Sequence, residues 1–225
     1  MPEPTVEERL WNTWVEAAAA KRPPGLEKFR WTQYGDHGPG HELLGTPRRI
    51  LELGFGTGRH LAFLLDAGFD AWGVDLSPSG VTLVRDRYPE SPPERFSCAD
   101  ARDFLRAAGE SFDAVYSVFG AVWFTDPGEL LPLVHRRLAP GGVLVFSQPP
   151  PIPGCYGPQG MFKGGFAGEP MFLVRYDYTA DAWRGMLGRA GFVGVRAEVL
   201  EAPTPGDIGT LLVRAVRPGL EAGAC

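Results

Sequence analysis

Short apolar runs alternate with amphipathic stretches from residue 49 to residue 148, and this alternation limits the possible folds more than any other feature. The apolar runs are RRILELG, DAWGVDLS, RFSCAD, FDAVYSVF and GGVLVFSQ. Continuous apolar runs are typical of strands buried on both faces, and helical patterns between them indicate βαβ units. The pattern therefore predicts an α/β fold with a mostly parallel sheet and helices on both faces.

The two ends of the chain add further elements to this sheet. Thr5 is placed to cap a helix over about 6–21, which Pro23 and Pro24 would end. After residue 170, MFLVRYDY alternates like a strand and Thr179 precedes a helical pattern. The last two apolar runs, GFVGVRAEVLEA and GTLLVRAVR, predict an antiparallel hairpin.

Composition limits the partners of the chain. Its 225 residues suit one domain, and 44% apolar with 22% charged residues is ordinary for a folded globular protein. A net charge of −5 with no basic run argues against nucleic acid. The three scattered cysteines have neither a zinc spacing nor a disulfide pattern, so we expect no metal and a reducing compartment. The acidic N-terminus and the lack of a long apolar run favour a cytoplasmic protein without a membrane partner.

A glycine-rich turn, ILELGFGTGRH, follows the first strand and begins a helix. Its glycines, Gly54, Gly56 and Gly58, allow a sharp turn and a close approach of the backbone to a ligand at the helix N-terminus. A dinucleotide-binding loop has the spacing G-x-G-x-x-G, but here the third glycine comes one residue early. Glu52, on the strand before the first glycine, also departs from that motif.

The arrangement ELGFGTG resembles the first motif of class I S-adenosylmethionine-dependent methyltransferases, and later positions match this family in order over roughly 45–217. The resemblance implies a single Rossmann-like domain with a seven-stranded mostly parallel sheet, an antiparallel last hairpin and an N-terminal helical lid. It also implies an enzyme that uses S-adenosylmethionine and releases S-adenosylhomocysteine. The glycine loop would hold the methionine part of the cofactor, with Glu52 near its ammonium group.

Later strand ends complete the cofactor site that the resemblance implies. Asp75 would bind both ribose hydroxyls, Asp100 the adenine amino group, and Ser117 to Phe119 would border the methyl group. Two simpler roles stay open: both aspartates could cap the following helices, and Glu52 could pair with Arg48 or Arg49. The full set of expected cofactor-binding residues is Glu52, Gly54, Phe55, Gly56, Gly58, His60, Asp75, Leu76, Asp100, Ala101, Ser117, Val118 and Phe119.

The segment after the fourth strand indicates the kind of acceptor. Family members that methylate amines of nucleic-acid bases usually carry Asn or Asp, Pro-Pro and an aromatic residue there, whereas this chain has SVFGAVWF. We therefore expect a small-molecule acceptor, methylated in line on oxygen or nitrogen. Carbon methylation, cyclisation and a non-catalytic cofactor-binding partner protein are the alternatives. The expected substrate-binding residues are Trp31, Trp123, Tyr156, Met161, Phe162 and Phe166, although Trp123 could equally belong to the core.

A general base is optional for methyl transfer, and it would help a hydroxyl acceptor. His37, His41 and Tyr34 are the candidates, because the segment before the glycine motif often forms a lid in similar enzymes. A loop histidine can also be a plain surface or capping residue.

The stretch from Gln148 to Gly168 is rich in glycine and proline and follows the fifth strand. A structureless run of about twenty residues is uncommon in a compact domain, and this one is aromatic and poor in charge, which favours an ordered substrate lid. The expected organisation is an N-terminal helix and lid over 1–45, a methyltransferase domain over 46–217 with a lid insertion at 148–170, and a tail over 218–225. We expect a monomer or a homodimer. The composition resembles that of actinobacterial proteins whose small methyltransferases tailor secondary metabolites such as antibiotics.

Overall fold

A computed structural model describes residues 3, 5–21, 28–163 and 171–219, with the backbone alone at 162, 163 and 171. The strands in this part of the chain are β1 (Arg49–Leu53), β2 (Asp70–Asp75), β3 (Phe96–Cys98), β4 (Phe112–Val118), β5 (Leu138–Gln148), β6 (Gly157–Lys163), β7 (Met171–Asp177), β8 (Val193–Leu200) and β9 (Thr210–Val216). The α-helices are α1 (Val6–Ala19), α2 (Arg59–Asp66), α3 (Pro78–Arg87), α4 (Ala101–Ala107), α5 (Ala121–Phe124), α6 (Pro127–Arg137) and α7 (Ala180–Arg189). Short 3-10 helices lie at His41–Leu44 and Pro93–Arg95.

The described residues form one seven-stranded sheet in the order β3-β2-β1-β4-β5-β9-β8. All neighbouring strands are parallel except for β9, which is antiparallel to β5 and to β8. The predicted Rossmann-like sheet with an antiparallel last hairpin is therefore confirmed. In such a sheet, ligands bind at the carboxyl ends of the parallel strands.

Local capping explains where the helices begin. The side chain of Thr5 accepts a hydrogen bond from the backbone of Glu8, whose carboxylate in turn accepts from the Thr5 backbone N–H. This capping box starts α1 where the sequence predicts. The side chains of Ser77 and Asp126 cap α3 and α6 by accepting from the backbone N–H groups of Gly80 and Gly128, and each is followed by a proline. These residues satisfy N–H groups that the helices themselves cannot pair.

Each face of the sheet packs against its own helices. Leu53, Val115 and Phe146 face α4, α6 and α7 in one apolar cluster. Ile50 and Tyr116 face α2, α3 and the segment 28–44 in the other. Among the described residues, no helix is long and apolar enough to cross a membrane.

The stretch after β5 differs from the sequence prediction. Residues 157–163 form β6, which pairs antiparallel with the expected strand β7 in a separate two-stranded sheet, with Gly160 opposite Val174. The sequence predicts no strand in residues 157–163, so β6 is an element beyond the predicted ones. The sequence does not predict this strand because GPQGMFK has few residues that favour strands. Its extended form depends on the backbone hydrogen bonds with β7. Phe166 lies outside the described residues.

Candidate cofactor and acceptor site

The glycine loop after β1 lies at the carboxyl edge of the sheet. Gly54, Gly56 and Gly58 have φ values of 76°, 56° and 71°, a region that glycine adopts without strain. A Cβ atom added to Gly54 would lie 2.4 Å from the backbone nitrogen of Ala121. The glycine loop therefore packs directly against the turn between β4 and α5. Phe55 points behind the loop into the core and is buried.

Asp75, at the end of β2, is joined to the glycine loop. Its carboxylate accepts hydrogen bonds from the backbone N–H groups of Gly56 at 2.7 Å and Ser77 at 2.8 Å. Burial raises the pKa of Asp75. A carboxylate can accept about four hydrogen bonds, so Asp75 keeps acceptor capacity for ligand hydroxyls. Leu76 follows, half-buried, at the start of the turn into α3.

Asp100 serves as the N-cap of α4. Its side chain accepts from the backbone N–H of Arg102 at 2.8 Å, and the Arg102 guanidinium binds both carboxylate oxygens at 3.0 Å. Burial alone would raise the pKa of Asp100, but the hydrogen bonds from Arg102 hold it below its usual range. The helix-capping role left open by the sequence is thus present, and Arg102 also binds Glu129. Ala101 is buried at the start of α4.

Glu52 is buried beneath the glycine loop and accepts a hydrogen bond from the Tyr116 hydroxyl at 2.8 Å. Burial raises the pKa of Glu52 to about 8. The proposed pairing with Arg48 or Arg49 is not found. The backbone N–H of Arg48 binds Asp113, and the guanidinium of Arg49 binds Asp70.

His60, on α2, lies on the same side of the sheet as Glu52. Its Nε2 is 2.9 Å from the carbonyl of Arg30, so this nitrogen is the donor in the neutral ring. Burial lowers the pKa of His60 to about 3. The ring packs edge-on against Phe29 at 5.1 Å. His60 therefore fixes the N-terminal segment to α2.

The end of β4 is held to both of its neighbours. The hydroxyl of Ser117 donates to the carbonyl of Leu53 at 2.8 Å, and the backbone N–H of Phe119 donates to Ser147 at 2.8 Å. Phe119 has a φ of 51°, which is unusual for a residue other than glycine. Such backbone strain tends to cluster at functional sites. Val118 and Phe119 are half-buried.

Helix α1 lies across the carboxyl edge of the sheet. The ring of Trp14 would be 3.1 Å from a Cβ atom on Gly56, and Trp11 packs against Phe124 with ring centroids 4.5 Å apart. The Asn12 side-chain oxygen accepts from the Ser77 hydroxyl at 3.0 Å. These three contacts place α1 against the glycine loop, α5 and the turn after β2. The contacts of Trp11 and Asn12 were not predicted, because helical spacing alone does not say which element a face meets.

The expected substrate-binding residues are not all brought together. Trp123 lies near the end of β4 and donates from Nε1 to Asp177 at 2.8 Å. Tyr156 is exposed, and Met161 is half-buried on β6. Trp31 is fully buried and donates to the carbonyl of Gly40, so we correct its expected contact with substrate to a role in core packing. The side chains of Phe162 and Phe166 lie outside the described residues.

The three candidate bases lie in two different parts of the structure. His37 and Tyr34 contact the turn between β8 and β9, where His37 Nε2 is 2.7 Å from the carbonyl of Glu201 and the Tyr34 hydroxyl donates to Ile208 at 2.7 Å. This turn follows the carboxyl end of β8. His41 instead packs against Phe63 and Phe69, beside the start of β2. It lies at the amino edge of the sheet, so the expectation of a base at His41 is wrong.

No cluster of three or more His, Cys, Asp or Glu side chains among the described residues could hold a metal ion. The groups that are present do fit S-adenosylmethionine. A glycine cradle at the start of α2 adjoins a buried carboxylate, Asp75, which has free acceptor positions for the ribose.

Comparison with known proteins places this site in a family. A family model described as a methyltransferase domain matches residues 51–146. The chain is 34% identical over 175 residues to a demethylmenaquinone methyltransferase of Thermus thermophilus, covering 68% of this chain and 78% of that protein. It is 33% identical over 109 residues to a trans-aconitate 2-methyltransferase of Delftia acidovorans. That match covers 47% of this chain and spans only 40% of the relative's length.

Solved structures show the same fold. A 1,6-didemethyltoxoflavin-N1-methyltransferase of Burkholderia thailandensis, with S-adenosylhomocysteine bound, has a TM-score of 0.64 at 21% identity, covering 97% of this chain and 92% of that one. A glycopeptide N-methyltransferase in complex with S-adenosylmethionine has a TM-score of 0.58 at 21% identity, covering 96% and 95% of the two chains. With the Thermus relative aligned over most of its length, the chain belongs to the class I S-adenosylmethionine-dependent methyltransferase family.

Proposed function

We propose that this chain transfers the methyl group of S-adenosylmethionine to a small molecule by in-line displacement. The observation that carries the proposal is the union of the glycine loop with Asp75, whose carboxylate binds the Gly56 N–H and keeps acceptor positions free. The glycine loop and Asp75 together form one binding site for the amino acid group and the ribose of the cofactor. The cofactor supplies a methyl group activated by a positively charged sulfur.

In this proposal, the residues of the chain bind the cofactor and orient its methyl group. Gly54, Gly56 and Gly58 hold the methionine part, with Glu52 beneath it, and Asp75 accepts from the ribose hydroxyls. Asp100 and the backbone of Ala101 adjoin the adenine, while Ser117, Val118 and Phe119 border the methyl group. Alignment of acceptor and methyl group supplies most of the rate acceleration in such a site.

The acceptor is proposed to be a small molecule. The net charge of −5 supports this proposal over a nucleic acid. Some of the relatives and structural neighbours are named for small molecules, among them trans-aconitate and 1,6-didemethyltoxoflavin. A cytoplasmic location and a role in secondary metabolism belong to the same proposal.

His37 is the proposed base where the acceptor is a hydroxyl. Its Nε2 faces the carbonyl of Glu201 and must carry the proton there, so Nδ1 is the nitrogen able to accept one. Tyr34 is less suited, because its hydroxyl donates its only proton to Ile208.

The test combines binding with turnover. Titration calorimetry should show that the purified protein binds S-adenosylhomocysteine, and incubation of S-adenosylmethionine with a metabolite mixture should give products that have gained one methyl group by mass spectrometry. Absence of S-adenosylhomocysteine binding would contradict the proposal. Products with an unmethylated, rearranged skeleton would favour cyclisation instead.

A further inference from the structure

Gln148, the last residue of β5, has no exposed surface, and one of its polar atoms is unpaired. Its Nε2 donates to the carbonyl of Tyr176 on β7 at 3.1 Å. Its Oε1 is buried without a hydrogen-bond partner in the part of the chain that the structure describes. A buried polar atom that lacks a partner is unfavourable, which suggests that a ligand completes its hydrogen bonding.

The orientation of this amide is set by chemistry. A carbonyl can only accept, so the amide nitrogen must face Tyr176 and the oxygen must face away from it. Gln148 therefore offers a fixed acceptor. The group that would satisfy it must carry an O–H or N–H bond.

Gln148 lies beside the segment expected to border the methyl group. Ser147, its neighbour on β5, is in register with Val118, and its carbonyl accepts from Phe119. The amide nitrogen of Gln148 binds Tyr176 on β7, and Asp177 is the next residue of that strand. Asp177 is buried and accepts from Trp123, next to the end of β4. Gln148 and Trp123 are thus both bound to β7, through the adjacent residues Tyr176 and Asp177, and we call these four residues the wall.

The positive charge of Arg175 beside this wall is offset by Asp177. Arg175 Nε lies 2.8 Å from Asp177 Oδ2, and the guanidinium lies over the Trp123 ring at 5.8 Å from its centroid. An arginine that is already paired with an aspartate leaves little positive field for an anionic substrate. The carboxylates of Asp126 and Glu129 also act on the nearby Tyr176, whose pKa is raised first by burial and then by these charges. The wall is therefore unsuited to an ionised carboxylate.

We propose that Gln148 selects the acceptor: its Oε1 receives a hydrogen bond from a hydroxyl or an N–H group of the substrate, and carboxylate acceptors are rejected. This assignment rests on the proposed methyltransferase function. The acceptor's oxygen or nitrogen forms a bond to the methyl carbon while the carbon–sulfur bond breaks and leaves its electron pair on sulfur. The proton of the acceptor passes to solvent or to a nearby base. Trp123 adds an aromatic surface, which suits a ring-bearing substrate.

The test uses sets of compounds that share one aromatic ring system and differ in a single group: hydroxyl, amine or carboxylate. Each set is incubated with the whole protein and deuteromethyl-labelled S-adenosylmethionine, and products are identified by mass spectrometry. We expect label in hydroxyl or amine members only. Label in carboxylate members, or in no member while S-adenosylhomocysteine still binds, would overturn the acceptor assignment and leave cofactor use intact. Loss of S-adenosylhomocysteine binding would instead contradict the proposed function.

Gln148→Leu tests the residue on the substrate found in this way. The KM for the acceptor should rise roughly tenfold, since one hydrogen bond to a neutral group is lost, while the Kd for S-adenosylhomocysteine stays unchanged. Gln159→Leu is the matched control, because Gln159 also donates to a tyrosine carbonyl, that of Tyr156 at 3.0 Å, in an exposed hydrogen bond. An unchanged KM in a folded Gln148→Leu protein would overturn the assignment. If the Gln148→Leu protein does not fold, the KM for the acceptor is measured on Gln148→Glu instead. The selectivity of the unaltered protein among the compound sets then also tests the assignment.

Discussion

The hydroxyl of Tyr116 donates a hydrogen bond to Glu52 Oε2 at 2.8 Å across the adjacent strands β1 and β4, and both side chains are buried. The two residues are partners in the parallel register. Burial, and to a smaller extent the charge of Asp75, raises the pKa of Glu52 to about 8 despite this hydrogen bond. The pKa of Tyr116 is raised as well, so the phenol keeps its proton. At neutral pH the pair is therefore mainly uncharged.

Replacing Glu52 by Gln should flatten the dependence of stability on pH. The unfolded carboxyl has a pKa of 4.5 and the folded one about 8, so between these values the native state keeps a proton that the unfolded state releases. The stability that Glu52 contributes is complete below pH 4.5 and is lost as the pH rises to about 8, by at most about 1.4 kcal/mol per unit. Urea unfolding across this range should show the decline in the original protein and a smaller one in Glu52→Gln. Parallel curves would contradict the assigned protonation.

His60 should have the opposite effect at lower pH. Its pKa is 6.5 when unfolded and about 3 in the fold, because burial disfavours the charged ring. The stability that it contributes is complete above pH 6.5 and is lost as the pH falls to about 3. Relative to His60→Gln, the original protein should lose unfolding free energy on acidification through this window. A constant difference between the two proteins would show that folding does not lower the pKa of the ring.

Gly54→Ala should be among the most destabilising changes in the loop. The new Cβ would lie 2.4 Å from the nitrogen of Ala121, in addition to the cost of a positive φ. We expect a loss above roughly 3 kcal/mol, measured by urea denaturation. Gly68→Ala is the matched control, because Gly68 has a φ of 87° and nothing within 4 Å of the added atom. It should cost only about 1–2 kcal/mol, the price of the backbone conformation. Equal losses in the two variants would argue against the collision.

Two aspartates that look alike in the sequence should differ in cofactor binding. Asp75 accepts one backbone hydrogen bond on each oxygen, from Gly56 and Ser77, whereas Asp100 accepts three hydrogen bonds from Arg102, two of them from its guanidinium. Asp75→Asn should weaken S-adenosylhomocysteine binding roughly tenfold or more, because an amide cannot accept from two hydroxyls with both of its heteroatoms. Asp100→Asn should weaken it less. Calorimetric titration of both proteins decides, and a larger loss in Asp100→Asn would reverse the assigned roles.

Features encoded by neighbouring residues could be predicted from the sequence. The βαβ order, the capping residues Thr5 and Ser77, and the glycine loop with Asp75 each depend on a short stretch and its position at a strand end. The last hairpin could be predicted because both strands carry clear apolar patterns. These signals are enough to specify the family's fold and the general place of the cofactor.

Features that depend on distant partners could not be predicted. Glu52 and Tyr116 are 64 residues apart, and β6 becomes a strand because β7 pairs with it. The segment 28–44 carries no periodic pattern to show which side chains turn inward. Trp31 and His41 were therefore placed at the ligand when they pack into the interior and at the amino edge. Gln148 was missed because its burial requires the hairpin.

Helix α1 should control how fast the cofactor leaves. Trp11 packs on Phe124, and the Asn12 oxygen accepts from Ser77 and from the backbone of Ser79, so α1 is fastened to both sides of the cradle. The double replacement Trp11→Ala with Asn12→Ala should raise the dissociation rate of S-adenosylhomocysteine at least roughly fivefold, since about 1 kcal/mol of closing contacts is removed.

Stopped-flow displacement measures this rate, and Thr13→Ala provides the control for α1. Thr13 is exposed and its hydroxyl bonds only within the helix, to the carbonyl of Arg9. Its replacement should leave the dissociation rate unchanged. If the double variant released S-adenosylhomocysteine at the original rate while remaining folded, α1 would be a fixed part of the wall, and the cofactor would have to leave by the side that faces the β6–β7 hairpin.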